Sequence, residues 1–443
     1  MAIHAKLRHL LVGSALLIAL MTLAASALVS AQADPDSGRS LDSNAQFYVP
    51  QPNRDAVKQI AELTSQGRKA DAALIKAVIN TPTAVWVTSG SPKEAEQQVR
   101  QITQQAAGKK TLPLLVLYNI PFRDCAQYSA GGATSVAEYK AWIDGVVKGI
   151  GDRQAMIVLE PDSLGIIPWY TNIDGALEWC QPKEADRATA ATDRFVMLNY
   201  AVDKLTALPN TSVYLDGTHN AWLNVGDITD RLIKAGVAKA DGFFLNASNY
   251  QWTPDLKQYG TWISSCIAYV TKVNTGDFGN CGNQYWSGGP ANNWQGVALD
   301  PARIWSDNAT DPTANTSGIN SRYDLILGSV KPTTHFIIDT SRNGQGPWVP
   351  TPEQKQQFPD PQDWCNPPAR GIGLRPTTNT GNLLVDAYVW IKVPGESDGQ
   401  CSRGLGSGNN VVDPIWSQVD PAAGQWFPAQ ALDLAKRANP PLK

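Results

Sequence analysis

The sequence is short of nearly everything that metal, nucleotide and nucleic-acid chemistry needs. Lys and Arg total 37 against 40 Asp and Glu, a formal net charge of −3, so there is no basic footprint for nucleic acid and no such partner is expected. It has four histidines; His4 and His9 fall in the N-terminal segment, which leaves His219 and His335, too few for a metal cluster. No C-x-x-C pair is present, so a zinc site is not expected. No glycine-rich phosphate loop follows the first strand-like run, which argues against a nucleotide site. "PDSLG" at 161–165 is not the G-x-S-x-G elbow, so Ser163 is a poor nucleophile candidate. Neither a cofactor nor a metal is expected.

What is present begins with an export signal. Lys6, Arg8 and His9 precede an apolar run from Leu10 to Val29, and Ala31-Gln32-Ala33 offers a cleavage site before Asp34. Residues 1–33 therefore read as a signal peptide and the mature chain as secreted, without stable membrane association; a retained anchor is the alternative. No later run is long and apolar enough to span a bilayer. Cys125, Cys180, Cys266, Cys281, Cys365 and Cys401 form an even set, which in an exported chain reads as disulfides, with the pairing left open by the count. Residues 34–50, rich in Asp, Ser and Gln, read as a short disordered leader.

From 51 to 443 the pattern is that of one catalytic domain. Apolar strand-like runs occur at 84–87, 112–119, 155–160, 212–216, 242–246, 335–339 and 383–392. Helical periodicity fills 91–107, 134–149, 185–207, 227–239 and 254–273 between them. Strand, helix, strand at this spacing implies parallel βα units. Seven such strands predict an α/β fold, a (β/α) barrel of about seven parallel strands; an open doubly wound sheet is the alternative. Two stretches, 275–330 and 341–382, carry little regular pattern and are rich in Gly, Pro, Asn and Trp. They read as lids over a site.

In parallel barrels, catalytic groups project from the C-terminal strand ends. Asp124, Asp162, Asp216, Asp339 and Asp398 all fall just past strand-like runs. Each alone could be a capping residue or a salt-bridge partner, but five at equivalent places suggest one acidic cleft. The chain also has 15 tryptophans and 13 tyrosines, enough for exposed platforms as well as core. Indole faces stack on sugar rings, and carboxylates supply acid and base for glycosidic bonds.

The motifs "YNIPFRDC", "LEPDSL", "YLDGTHNAWL" and "WIKVPGESDG" stand in the order found in family-six glycoside hydrolases, which the chain resembles over essentially all of 50–443. That family comprises cellobiohydrolases and endoglucanases that cleave β-1,4-glucan with inversion on a distorted seven-stranded barrel. The resemblance implies that Asp162 is the general acid and that Asp124 raises its pKa, although Arg123 could instead hold Asp124 ionised. It implies that Tyr118 lies under the sugar at the cleavage subsite, that Ser129 positions water, and that Asp398 is the usual candidate base. An inverting enzyme needs that second carboxylate about 6.5–9.5 Å from the first. Trp86, Trp222 and Trp364 match sugar platforms, His219 a hydroxyl contact, Lys392 and Glu396 sugar-binding positions, and Asp216 a supporting carboxylate at the substrate site. Thr218 stands where many relatives have glycine. The family's disulfides would pair Cys125 with Cys180 and Cys365 with Cys401, leaving Cys266 and Cys281 for a third bridge.

Endo members of the family have an open groove, and exo members a roofed tunnel. The length of 275–330 and 341–382, with Trp286, Trp294, Trp348 and Trp364 as roof surfaces, favours a monomeric cellobiohydrolase that takes β-1,4-glucan chains from the non-reducing end. The alternatives are an open-groove endoglucanase, a non-catalytic glucan-binding homologue, and a retaining hydrolase.

Overall fold

Each of the seven apolar runs becomes a strand: β1 (Val85–Val87), β2 (Leu114–Leu117), β3 (Ala155–Leu159), β4 (Thr211–Asp216), β5 (Gly242–Leu245), β6 (His335–Asp339) and β7 (Val385–Val389). The computed structural model describes residues 41–442 except 43 and 407–409. In it the strands pair in chain order, all parallel. The sheet curls on itself, with no β1–β7 ladder among the described residues. Across that seam the amide of Ala84 donates to the Trp390 carbonyl at 2.9 Å, and the Trp86 indole N–H donates to the Ile391 carbonyl at 2.9 Å. This is the distorted barrel; a doubly wound sheet would reverse its strand order at a switch point.

The strands are apolar on both faces, as a covered parallel sheet requires. Val116, Val158, Tyr214, Phe244, Ile337 and Val389 fill the interior. Their neighbours in sequence, Leu115, Leu117, Ile157, Leu159, Leu215, Phe243 and Ile338, face outward into a larger core shared with the helices. Period-two alternation thus feeds two cores from one run.

Helices α1 (Arg54–Ser65) and α2 (Lys69–Ile79) precede the barrel. Then come α3 (Pro92–Gly108), α4 (Val136–Ile150), α5 (Ala190–Thr206), α6 (Val225–Lys234), α7 (Thr253–Ala268), α8 (Ser317–Leu327), α9 (Pro352–Gln357) and α10 (Pro428–Lys436). Helix α3 starts where its chemistry says it should: Ser91 and Glu94 form a capping box, with Pro92 at the first helical position. Helices α3 and α4 approach so closely that a Cβ at Gly145 would lie 2.1 Å from the Pro92 carbonyl oxygen. Helices α1, α2 and α10 gather around Trp390 and Trp426 in a third core, which the sequence pattern does not reveal.

Two expectations need correction. The described part of the expected leader is not free chain: Phe47 and Tyr48 are 7% and 3% exposed, and the amide of Tyr48 donates to the Leu112 carbonyl. Two aromatic side chains bury this segment despite the polar composition around them. The expected signal peptide and the leader up to residue 40 lie outside the described residues. Segment 275–330, expected to lack regular structure, contains α8, whose Ile319, Tyr323 and Leu327 are buried at helical spacing. The three disulfides are Cys125–Cys180, Cys266–Cys281 and Cys365–Cys401, the pairing that the resemblance implied. Among the described residues no helix is long and apolar enough to cross a membrane.

Candidate active site

The end of β3 runs straight into two left-handed residues, Glu160 (φ 53°) and Asp162 (φ 65°), separated by Pro161. That turn sends the two carboxylates to different places. Glu160 is fully buried and accepts hydrogen bonds from the amides of Asn119 (2.9 Å) and Ile120 (3.0 Å), which ties the loop after β2 to the end of β3. Burial pushes its carboxyl up to about 7. Arg194 of α5, also buried, donates to the carbonyls of Ser163, Ile166 and Pro121 and fastens both loops from behind. Neither residue stood out as part of a site in the sequence; a glutamate ending an apolar strand just before a proline was the available signal.

Asp162 lines the cleft, and its carboxyl has no hydrogen-bond partner among the described residues. Burial, and then the charges of Asp216 and Asp124, hold its pKa well above the usual carboxylate range. Asp216 is 2% exposed and does not reach the cleft wall. Its carboxylate accepts from the amides of Leu164 (3.2 Å), Gly165 (3.3 Å) and Thr218 (2.9 Å). Through those amides Asp216 holds the Asp162 turn in place. Asp339 is likewise buried, accepting from the amides of Ser248, Ser341, Ile391 and Lys392.

Asp124 opens a short turn in left-handed geometry (φ 55°), next to the disulfide-bonded Cys125. Its Oδ2 accepts from both the amide (2.7 Å) and the hydroxyl (2.8 Å) of Ser129, whose Oγ is 3.0 Å from the Tyr118 hydroxyl. Burial raises the Asp124 carboxyl, more than Ser129 and Arg123 lower it. Arg123 forms no ion pair with Asp124 among the described residues. Its guanidinium donates to the carbonyls of Thr88, Tyr118 and Ser129 and stacks on the Tyr118 ring at 4.8 Å. The loop returns through Gly132 (φ 100°), where a Cβ would lie 2.1 Å from the Ile120 carbonyl oxygen.

Asp398 sits in a cationic nest. Its Oδ2 accepts from Arg342 (2.9 Å), the Tyr250 hydroxyl (3.0 Å) and the Asn366 amide (2.9 Å), while Lys392 Nζ lies 3.3 Å from Oδ1. Against the cost of burial, Arg342 and Lys392 hold its pKa down at about 2. Lys392 also donates to the Ser397 carbonyl at 2.9 Å. Burial pushes Glu396 up.

These groups line one cleft of about 820 Å³. Asp124, Asp162, Asp398, Tyr118, Ser129, Trp86, His219, Trp222, Trp364, Lys392 and Glu396 all border it. Burial pulls the His219 imidazole down to about 4, so it is neutral, and its Nδ1 accepts from the Ala221 amide at 3.2 Å. Trp222 packs against Gly165, where a Cβ would come within 2.4 Å of the indole. Thr218 keeps the left-handed conformation glycine would favour (φ 57°), with its hydroxyl 3.3 Å from that of Tyr259. Trp179, absent from the sequence-based candidates, also borders the cleft and is 54% exposed. Of the expected roof, 341–382 contributes Pro347, Trp348, Asp363 and Trp364, but no residue of 275–330 lines the cleft. Trp286 and Trp294, expected as roof surfaces, are therefore not among the residues that border the cleft.

The chain is 30% identical over 85% of its length to endoglucanase A of Cellulomonas fimi and spans 60% of that protein's length. It is 30% identical over 93% of its length to a protein of Aspergillus niger named "Probable 1,4-beta-D-glucan cellobiohydrolase C", of which it covers 79%. Among solved structures, the endoglucanase Cel6 of Mycobacterium tuberculosis superposes with a TM-score of 0.59 at 29% identity, covering 90% of this chain and 98% of that one. The family model described as "Glycosyl hydrolases family 6" matches residues 42–438, which takes in every strand of the barrel and every residue bordering the cleft. By that match the chain belongs to glycosyl hydrolases family 6.

Proposed function

We propose that this protein is a secreted hydrolase of β-1,4-glucosidic bonds in cellulose, acting with inversion and with Asp162 as the proton donor. The observation that carries the reading is a cleft carboxyl, Asp162, whose pKa is held well above the usual carboxylate range by burial and by the nearby charges of Asp216 and Asp124. A carboxyl with a raised pKa keeps its proton to higher pH and can deliver it to a leaving glycosidic oxygen. The aromatic walls supply stacking surfaces, and the three disulfides fit an oxidising compartment.

The attacking water is assigned to the Ser129 side. Ser129 donates its hydroxyl hydrogen bond to Asp124, which leaves its Oγ to accept from the Tyr118 hydroxyl. A lone pair of its Oγ is left to accept from a water. As that water attacks the anomeric carbon, its proton passes to Ser129, and the proton of Ser129 passes to Asp124. Asp398, with a pKa of about 2 and its oxygens engaged by four donors, is too weak a base to take that proton directly. It stays ionised and fixes Lys392 at the cleft wall, with Arg342 buried behind it.

On cleavage mode, release of cellobiose from non-reducing ends keeps one support, the four residues that 341–382 contributes. The absence of 275–330 from the cleft favours the other mode, internal cutting through an open groove. We adopt the latter. Viscosity against reducing ends on carboxymethyl cellulose tests it: a steep viscosity drop per bond cut with mixed oligosaccharides is expected, and a slow drop with mainly cellobiose overturns it. Reducing sugar release from swollen cellulose, absent in a non-catalytic homologue, tests the activity itself.

A further inference from the structure

Three exposed aromatic residues of 275–330 remain without a role, because none of them lines the cleft. Tyr285, Trp286 and Trp294 are 48%, 40% and 43% exposed, on one folded segment. The Arg322 guanidinium lies 5.5 Å from the Trp286 ring centroid and 5.4 Å from that of Trp294, and Arg322 is itself fixed by donating to the carbonyl and side chain of Asn280. Trp286 rests on Gly288, where a Cβ would lie 2.4 Å from the indole. The two indoles are thus held in place before any ligand arrives, which lowers the entropic cost of binding.

This patch joins the cleft. The Tyr285 hydroxyl donates to the carbonyl of Trp222, and Gln284 donates to the carbonyls of Asn220 and Leu223, so the segment is fastened to the loop that carries the Trp222 platform. Trp222 borders the cleft. A chain leaving the cleft past Trp222 meets aromatic surface next.

We propose that Tyr285, Trp286 and Trp294 form an outer binding surface for β-1,4-glucan, continuous with the cleft and occupied by substrates too long for the cleft alone. The inference rests on the reading of the site as a glucan hydrolase. Flat indole faces in solvent suit the C–H faces of glucose rings, and a guanidinium backing them suits ring hydroxyls better than a lipid or an apolar protein surface.

The test uses full-length protein carrying Asp162→Asn, with and without Trp286→Ala plus Trp294→Ala, in depletion assays on insoluble cellulose. The expected result is binding at least about fivefold weaker for the aromatic variant. In the active background the same pair should lower the rate on insoluble cellulose and leave cellotetraose turnover unchanged, which also shows that the protein is folded. Trp294→Ala alone, which spares the packing on Gly288, should give a smaller loss in the same direction. Unchanged cellulose binding overturns the proposal, as does a shift from dimer to monomer without a change in binding, which would make the face an interface between copies. Failure to hydrolyse cellotetraose at all would instead overturn the hydrolase reading.

Discussion

Ser129 donates twice to one oxygen of Asp124, through its amide at 2.7 Å and its hydroxyl at 2.8 Å. The arrangement couples Asp124, which borders the cleft, to whatever the Ser129 Oγ holds. On the proposed route Asp124 has two functions: its charge raises the pKa of Asp162, and its basicity draws the proton that Ser129 takes from water.

Asp124→Asn should therefore act on both. The amide oxygen can still accept from Ser129, so the loop keeps its shape. The rate on cello-oligosaccharides should fall by about 10²-fold or more. A negative neighbour raises the pKa of Asp162, so removing it lowers that pKa, and the basic limb of the pH–rate profile should move to lower pH. Ser129→Ala should lose rate without moving the basic limb. A profile unchanged by Asp124→Asn would leave Asp124 with no electrostatic part in the site.

Asp398→Ala should unfold the site before it informs on chemistry. It strips a buried Arg342 of its carboxylate and leaves Lys392 without its ion pair, a change that costs about 3–5 kcal/mol for a buried pair. A large fall in denaturant midpoint is expected, with Asp124→Ala costing far less. If Asp398→Ala is as stable as the parent but inactive, Asp398 acts on the reacting water and the Ser129 route is wrong.

How far the sequence could foresee this differs by element. The seven strands were legible because each is an apolar run buried on both faces, and the turn residues beyond them carry the carboxylates. What the sequence could not show is which carboxylate faces the cleft. Asp162 and Asp216 follow similar strands, and the left-handed turn at 160–162 alone turns one outward while backbone amides claim the other. The state of Asp398 depends on Arg342, 56 residues earlier in the chain, so no local pattern predicts it. Helix α1 was missed because its buried face is only Ala56, Gln59 and Leu63, a stripe too thin and partly polar. Trp286 and Trp294 are surface aromatics, but outside the cleft over which the length of their segment places them.

The floor of the barrel should titrate. His335 Nδ1 lies 2.6 Å from Asp386, which also accepts from the Tyr214 hydroxyl at 2.8 Å. The hydrogen bond to Asp386, opposed by burial, raises the His335 pKa above its ordinary value. A raised folded-state pKa contributes stability that is full below the unfolded value of about 6.5 and is lost as pH rises through the folded one. The stability difference between the parent and His335→Gln should be larger at pH 5.5 than at pH 9. An equal difference at both would show that the pair carries no linked proton.

The proton donor is the centre of the account, and a leaving group that needs no proton isolates it. Asp162→Asn should lose about 10²–10⁴-fold in rate on cellotetraose. On β-cellobiosyl fluoride, whose fluoride departs unprotonated, it should stay within about tenfold of the parent, since the water-activating groups are intact. Equal losses on the two substrates, or near-parental activity on cellotetraose, would contradict the assignment of Asp162 as the acid.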